Sequence, residues 1–173
     1  AHCIRVHFGT PRRPVGAEGQ RDFGFGGEFD DALHLGFADV SLPLLASEEK
    51  DGQSGVRKRG DVVLKPDGSP DSKDDTTKYA SITTIDEHGE EEFVTSLNDA
   101  LDESDTNALL VFVHGYNQSF DTAVLRAAQI AVDLTFDKDD PANVGKDKPN
   151  FGEPSYAFGR PVLFSWPNGA FLC

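Results

Sequence analysis

Residues Leu109-Leu110-Val111-Phe112-Val113 form an unbroken apolar run that stops at His114-Gly115. Such a run, closed by a turn signal, reads as a strand buried on both faces, as in a parallel sheet. The period then changes. Phe120, Ala123, Val124, Ala127, Ile130, Ala131 and Leu134 recur at helical spacing, and Asn117 and Ser119 stand before them as candidate N-caps. Strand, glycine turn and amphipathic helix make the first half of a βαβ unit. A second run, Pro161-Val162-Leu163-Phe164-Ser165-Trp166-Pro167, supplies the strand that completes it, parallel to the first. The expected class is α/β. Open α/β sheets place ligands at the carboxyl ends of their strands, so His114-Gly115-Tyr116-Asn117 is the first place to look for chemistry.

Upstream, Ile4–Phe8 reads as a short strand. Gly9–Asp31 reads as a loop, since it holds Pro11, Pro14 and six glycines, with Arg12-Arg13 as surface charge. Leu33–Leu42 alternates with period two, placing Leu33, Leu35, Phe37 and Asp39 on one face of a half-buried strand. Asp61–Lys65 and Tyr79–Ile85 read as further strands. No helix joins these segments, so an antiparallel meander is expected. Glu90–Glu103 reads as a helix: Phe93, Leu97, Ala100 and Leu101 share a face, and Glu90, Glu91 and Glu92 suit its positive amino-terminal end. The expected architecture is a mixed sheet, an amino-terminal meander followed by the βαβ unit. It fills a single domain over residues 1–173, with an acidic loop insertion at 137–160.

Charge and composition narrow the function. A net charge of −14 argues against nucleic acid as a partner, because phosphate is repelled. No apolar run approaches the roughly 18 residues of a membrane span. No signal peptide stands at the amino terminus, which leaves cytoplasmic and exported locations both open. Cys3 and Cys173 have no CxxC context and are expected as free thiols. Asp71–Asp75 and Asp137–Asp140 lack the glycine and closing glutamate of a calcium loop and read as solvated acid. No metal and no cofactor is expected. The chain has no methionine and stops just after its second parallel strand, so a truncated domain is expected.

Hydrolysis of an acyl bond needs backbone N–H donors aimed at the developing oxyanion. A His-Gly turn after a buried strand can supply one, with the amide of Tyr116 the first choice and that of Asn117 the second. The alternative is that Gly115 only makes the turn and His114 bonds locally.

Leu110–Asn117, the alanine-rich helix behind it and Val162–Pro167 together resemble a bacterial α/β-hydrolase family of unknown function, esterase- or lipase-like. Val6–Arg13 and Gly36–Pro43 resemble its amino-terminal pattern. The resemblance implies a partial α/β-hydrolase fold and a small-molecule ester or similar acyl substrate. It also implies a Ser-His-acid triad, with His114, Gly115, Tyr116 and Asn117 as the oxyanion-hole turn. The nucleophile elbow, G-x-S-x-G, is absent. Gly52-Gln53-Ser54-Gly55 has the wrong spacing, and Ser165 sits in a strand end. The histidines (His2, His7, His34, His88 and His114) all precede the place where the elbow is expected. The triad is therefore expected beyond Cys173, and this chain by itself is expected to be inactive. Trp166 suits either an acyl pocket or plain packing. Two other readings stay open: a non-catalytic hydrolase-like module that binds an acyl ligand or a protein, and an acidic calcium-binding surface protein.

Overall fold

The structure, a computed structural model, describes residues 2–19, 23–42, 79–102, 104, 108–134 and 160–167. Its strands are β1 (His2–Val15), β2 (Gly24–Leu42), β3 (Ser81–His88), β4 (Val111–Val113) and β5 (Val162–Phe164). They form one mixed sheet in the order β3-β2-β1-β5-β4. β1, β2 and β3 make the expected antiparallel meander. β5 lies between β1 and β4 and runs parallel to both; its parallel pairing with β4 is the one expected from the two apolar runs.

The helices are α1 (Glu90–Asp102) and α2 (Phe120–Asp133). α2 packs Phe120, Ala123, Val124, Ala127 and Ala128 against Ile4, Val6, Phe8, Ala38, Val40 and Leu163. Those strand residues share one face because strand side chains alternate. α1 sits on the other face, where its Phe93 and Ser96 meet His7. The sheet is thus a middle layer between two helices, as in α/β domains.

Four expectations need correction. The stretch expected as a loop over Gly9–Asp31 is mostly strand, since β1 runs on to Val15 and β2 starts at Gly24. Proline cannot donate to a ladder, and the register shifts around Arg12 and Pro14 show how the pairing absorbs it. Second, the buried face of β2 is Gly36, Ala38, Val40 and Leu42, while Leu33 is exposed and Leu35, Phe37 and Asp39 are half-buried. The small residues face α2 because a helix must approach closely there. Third, β4 is not buried on both faces. It is the edge of the described sheet, with Val111 60% and Val113 50% exposed. Fourth, β5, the strand after which a truncated domain was expected to break off, is not a sheet edge: it is paired on both sides. The Asp61–Lys65 strand, the Asp71–Asp75 cluster, Gly52–Gly55, Cys173 and residues 137–159 of the acidic insertion lie outside the described residues. Cys3 is exposed and free.

Gly36 is where β2 passes between its neighbours, paired with Phe8 on one side and Glu87 on the other. A Cβ there would strike the Asp86 carbonyl oxygen and lie 2.8 Å from Phe8 Cζ. Gly36→Ala is therefore expected to cost about 1–3 kcal/mol, the usual range for overpacking. A urea titration checks it, and an unchanged midpoint would show that β2 and β3 do not pack this closely.

Candidate active site

Phe8, Leu163 and Phe112 form one rung across β1, β5 and β4. Two residues further along each chain come Thr10, Ser165 and His114. The alternation of the strands keeps them on the same face. All three strands point the same way, so this second rung lies at their carboxyl ends, the place where α/β sheets put ligand sites.

The rung is tied together by polar bonds. Thr10 Oγ1 donates to the Ser165 carbonyl at 2.6 Å, and Ser165 N donates to the Gly9 carbonyl at 3.0 Å. Arg12, two residues beyond Thr10, is only 1% exposed. Its Nε donates to Ser165 Oγ at 2.9 Å, its Nη1 to the Gly26 carbonyl at 3.0 Å and its Nη2 to the Gln118 carbonyl at 2.8 Å. The same Nη2 lies 3.4 Å from His114 Nε2. Burial lowers the Arg12 pKa to about 10, opposed by the charge of Asp121, so the guanidinium is still a cation at neutral pH. Burial raises the pKa of Asp121, and Arg12 opposes that shift.

His114 is buried, and its tautomer follows from its partners. The Gly115 carbonyl can only accept, so Nδ1 carries the proton that it receives at 2.8 Å. Nε2 is then an acceptor, 3.0 Å from the Ser165 hydroxyl, which already accepts from Arg12 and has its own proton to give. Trp166 packs its ring 4.9 Å from the imidazole.

This arrangement orients the turn. In a trans peptide the C=O and the next N–H point in opposite directions. The Gly115 carbonyl is drawn inward to His114, so the Tyr116 N–H points away from the imidazole. Tyr116 is 79% exposed, and Gly115 and Asn117 are exposed beside it. Among the described residues the amides of Gly115, Tyr116 and Asn117 donate to no protein group. A cleft of about 220 Å³ opens beside the turn, lined by Phe112, His114, Gly115, Gln118, Ala123 and Arg126.

Gly115 does not make this turn by backbone freedom. The residue with positive φ is Asn117, at 56°, a conformation that asparagine tolerates. A Cβ added to Gly115 would meet open space. Ser119, not Asn117, caps α2: its Oγ accepts from Thr122 N at 3.2 Å.

The expected residues thus divide in two. His114 faces inward, while Gly115, Tyr116 and Asn117 face outward. Arg12, expected as surface charge, and Ser165, expected as a plain strand residue, join His114 in the buried cluster. One signal in the sequence pointed to Arg12. Ile4, Val6, Phe8, Thr10 and Arg12 alternate without a break, which continues the strand past Phe8 on its core face. Among the described residues no group of His, Cys, Asp or Glu could hold a metal ion, and no helix is long and apolar enough to cross a membrane.

Parallel strands between helices on both faces, with an exposed turn at the carboxyl end of β4, define a partial α/β-hydrolase-like fold. The comparison of sequences names the family. Residues 89–173 match the model of the family described as an alpha/beta hydrolase of unknown function (DUF900), so this stretch of the chain is similar to that family. Val6–Arg13 and Gly36–Pro43 lie outside the matched residues. Neither a curated protein nor a solved structure matches the chain.

Proposed function

We propose that the His114–Asn117 turn is the oxyanion-binding half of an acyl-hydrolase site, acting on a carboxylic ester or similar acyl bond. The observation that carries this is the inward Gly115 carbonyl. It leaves the Tyr116 amide pointing out of the fold, one residue after Gly115, which borders open space and lines the cleft. An unspent N–H fixed by the fold costs no reorganisation when charge develops on a substrate oxygen, which is how oxyanion donors act. Asn117 is the second donor in this reading. The nucleophile is a separate contribution. Ser165 is fully buried with its hydroxyl held between Arg12 and His114, which suits support and not attack.

Methylphosphonate, a tetrahedral oxyanion, tests the proposal. Titrated into the labelled chain at low salt, it is expected to shift the Tyr116 and Asn117 amides, saturating on the order of millimolar for so few donors. Asn117→Val, which strains the positive-φ position, is expected to weaken that binding. Gly115→Ala has room for its methyl and is expected to keep stability within about 0.5 kcal/mol. With a short-chain activated ester the 173-residue chain is expected to show no saturable turnover. Shifts spread evenly over the surface, with none centred on Tyr116, would refute the oxyanion reading. Saturable turnover lost in Ser165→Ala would move the nucleophile to Ser165.

A further inference from the structure

We infer that Arg12 and Ser165 are positioning residues that set the direction of the Tyr116 amide through His114. The inference takes its purpose from the oxyanion reading, but its geometry stands without it. The relay has three links. The Arg12 guanidinium donates to Ser165 Oγ, which turns the serine proton toward His114 Nε2. With Nε2 accepting, the imidazole proton sits on Nδ1 and holds the Gly115 carbonyl. That carbonyl fixes the peptide plane whose other end is the Tyr116 N–H. Arg12 also holds the far end of the turn directly, at the Gln118 carbonyl. Both ends of the 115–118 segment thus hang on one buried cation.

Stability alone does not explain an arginine at this place. An apolar side chain of similar volume fills a buried site about as well, and often better, because it brings no charge out of water. What such a side chain lacks is the rigid fork of donors. Here that fork reaches three segments remote in sequence: the start of β2 at Gly26, the turn at Gln118 and the end of β5 at Ser165. Lysine has one nitrogen and no fork. Arg12→Lys therefore keeps the charge and loses the simultaneous grip.

Nuclear magnetic resonance of the full 173-residue chain decides the matter with two readouts. The first is the His114 tautomer and the exchange of its Nδ1 proton. The second is the methylphosphonate shift at the Tyr116 amide. In Arg12→Met and in Ser165→Ala the Nδ1 proton is expected to exchange at least ten times faster. Affinity for methylphosphonate is expected to fall at least tenfold, with amide protection in α2 unchanged. Arg12→Lys is expected to fall between wild type and Arg12→Met. Ser165→Ala removes a single hydroxyl and carries the test if Arg12→Met does not fold. Wild-type tautomer and exchange in both variants would overturn the inference. So would an equal loss of protection across α2 and the sheet, because the residues would then be only structural. If the wild type binds no methylphosphonate, the oxyanion reading fails, while the imidazole readout still decides whether Arg12 and Ser165 position the turn.

Discussion

Replacing Phe120 by alanine is expected to lower the stability of this chain by about 3–5 kcal/mol, the range for emptying a large aromatic site. Phe120 is fully buried at the first position of α2. Its ring centroid lies 5.0 Å from Phe8 and 4.8 Å from Phe25, and those two rings lie 5.3 Å apart. One side chain thus joins α2 to β1 and β2. Tilted and edge-on contacts of this kind add to the burial of area. Backbone shifts will not readily close the space, because the neighbours belong to two strands fixed by their ladder. The effect reaches the site as well, since Phe120 lies three residues beyond Asn117 and anchors the end of the turn. Phe120→Leu, which keeps most of the volume, is expected to lose much less. The check is the midpoint of urea unfolding at constant slope. A loss below about 1 kcal/mol would show that the aromatic cluster is not a keystone of the core.

Acid should destabilise the chain well before its carboxylates are neutralised. His7 is fully buried against Phe93 and Phe37, with Nε2 2.8 Å from Ser96 Oγ and, among the described residues, no hydrogen-bond partner for Nδ1. Burial, then the charges of Arg160 and Arg5, lower its pKa from 6.5 to about 4, and Asp39 opposes them. Between those two values the unfolded chain takes up a proton that the folded chain does not. Stability therefore falls as pH drops from 6.5 towards 4, and the loss stops below that. A window of about 2.5 units is worth at most about 3 kcal/mol.

Other groups act in other windows or with the opposite sign. His34 is raised by its bonds to Glu87 and Asp30 against the cost of burial, so its contribution is lost as pH rises above 6.5. Asp30 and Asp39, lowered by His34 and Arg5 respectively, lose theirs below about 4. Asp121, raised by burial, offsets part of the His7 effect. His7→Gln isolates the histidine. Its unfolding free energy is expected to change between pH 7 and pH 4.5 by about 2 kcal/mol less than that of the wild type. Parallel pH profiles for the two proteins would mean that His7 takes up its proton in the folded chain at the same pH as in the unfolded one.

The turn, the helix behind it and the parallel partner strand were legible because each leaves a local mark. An apolar run closed by His114-Gly115 marks a strand end. Helical spacing from Phe120 marks an amphipathic helix, and Ser119 can cap it with its own side chain. The meander was legible too, because no helical period joins its segments in the sequence, and such connections favour antiparallel pairing. The face of β2 was not. Leu33, Leu35 and Phe37 look like the core side by size, but burial is decided by what packs against the strand. α2 needs a shallow surface, so the face with Gly36 and Ala38 lies inward.

The candidate site divides along the same line. By itself the sequence determined that His114–Asn117 is a turn at a strand end, and so where an oxyanion donor could stand. Only the tertiary structure decided which way the Tyr116 N–H points. Arg12, Ser165 and Gln118 are separated by more than a hundred positions in part, and nothing local to any of them signals the others. The parallel register of β1, β5 and β4 brings Thr10, His114 and Ser165 to one rung. Arg12, two residues beyond Thr10 on the same strand, brings its guanidinium to Ser165 and His114. A buried cation is stable only where several fixed acceptors meet it, and such a meeting is a property of the assembled sheet, not of any segment of the chain.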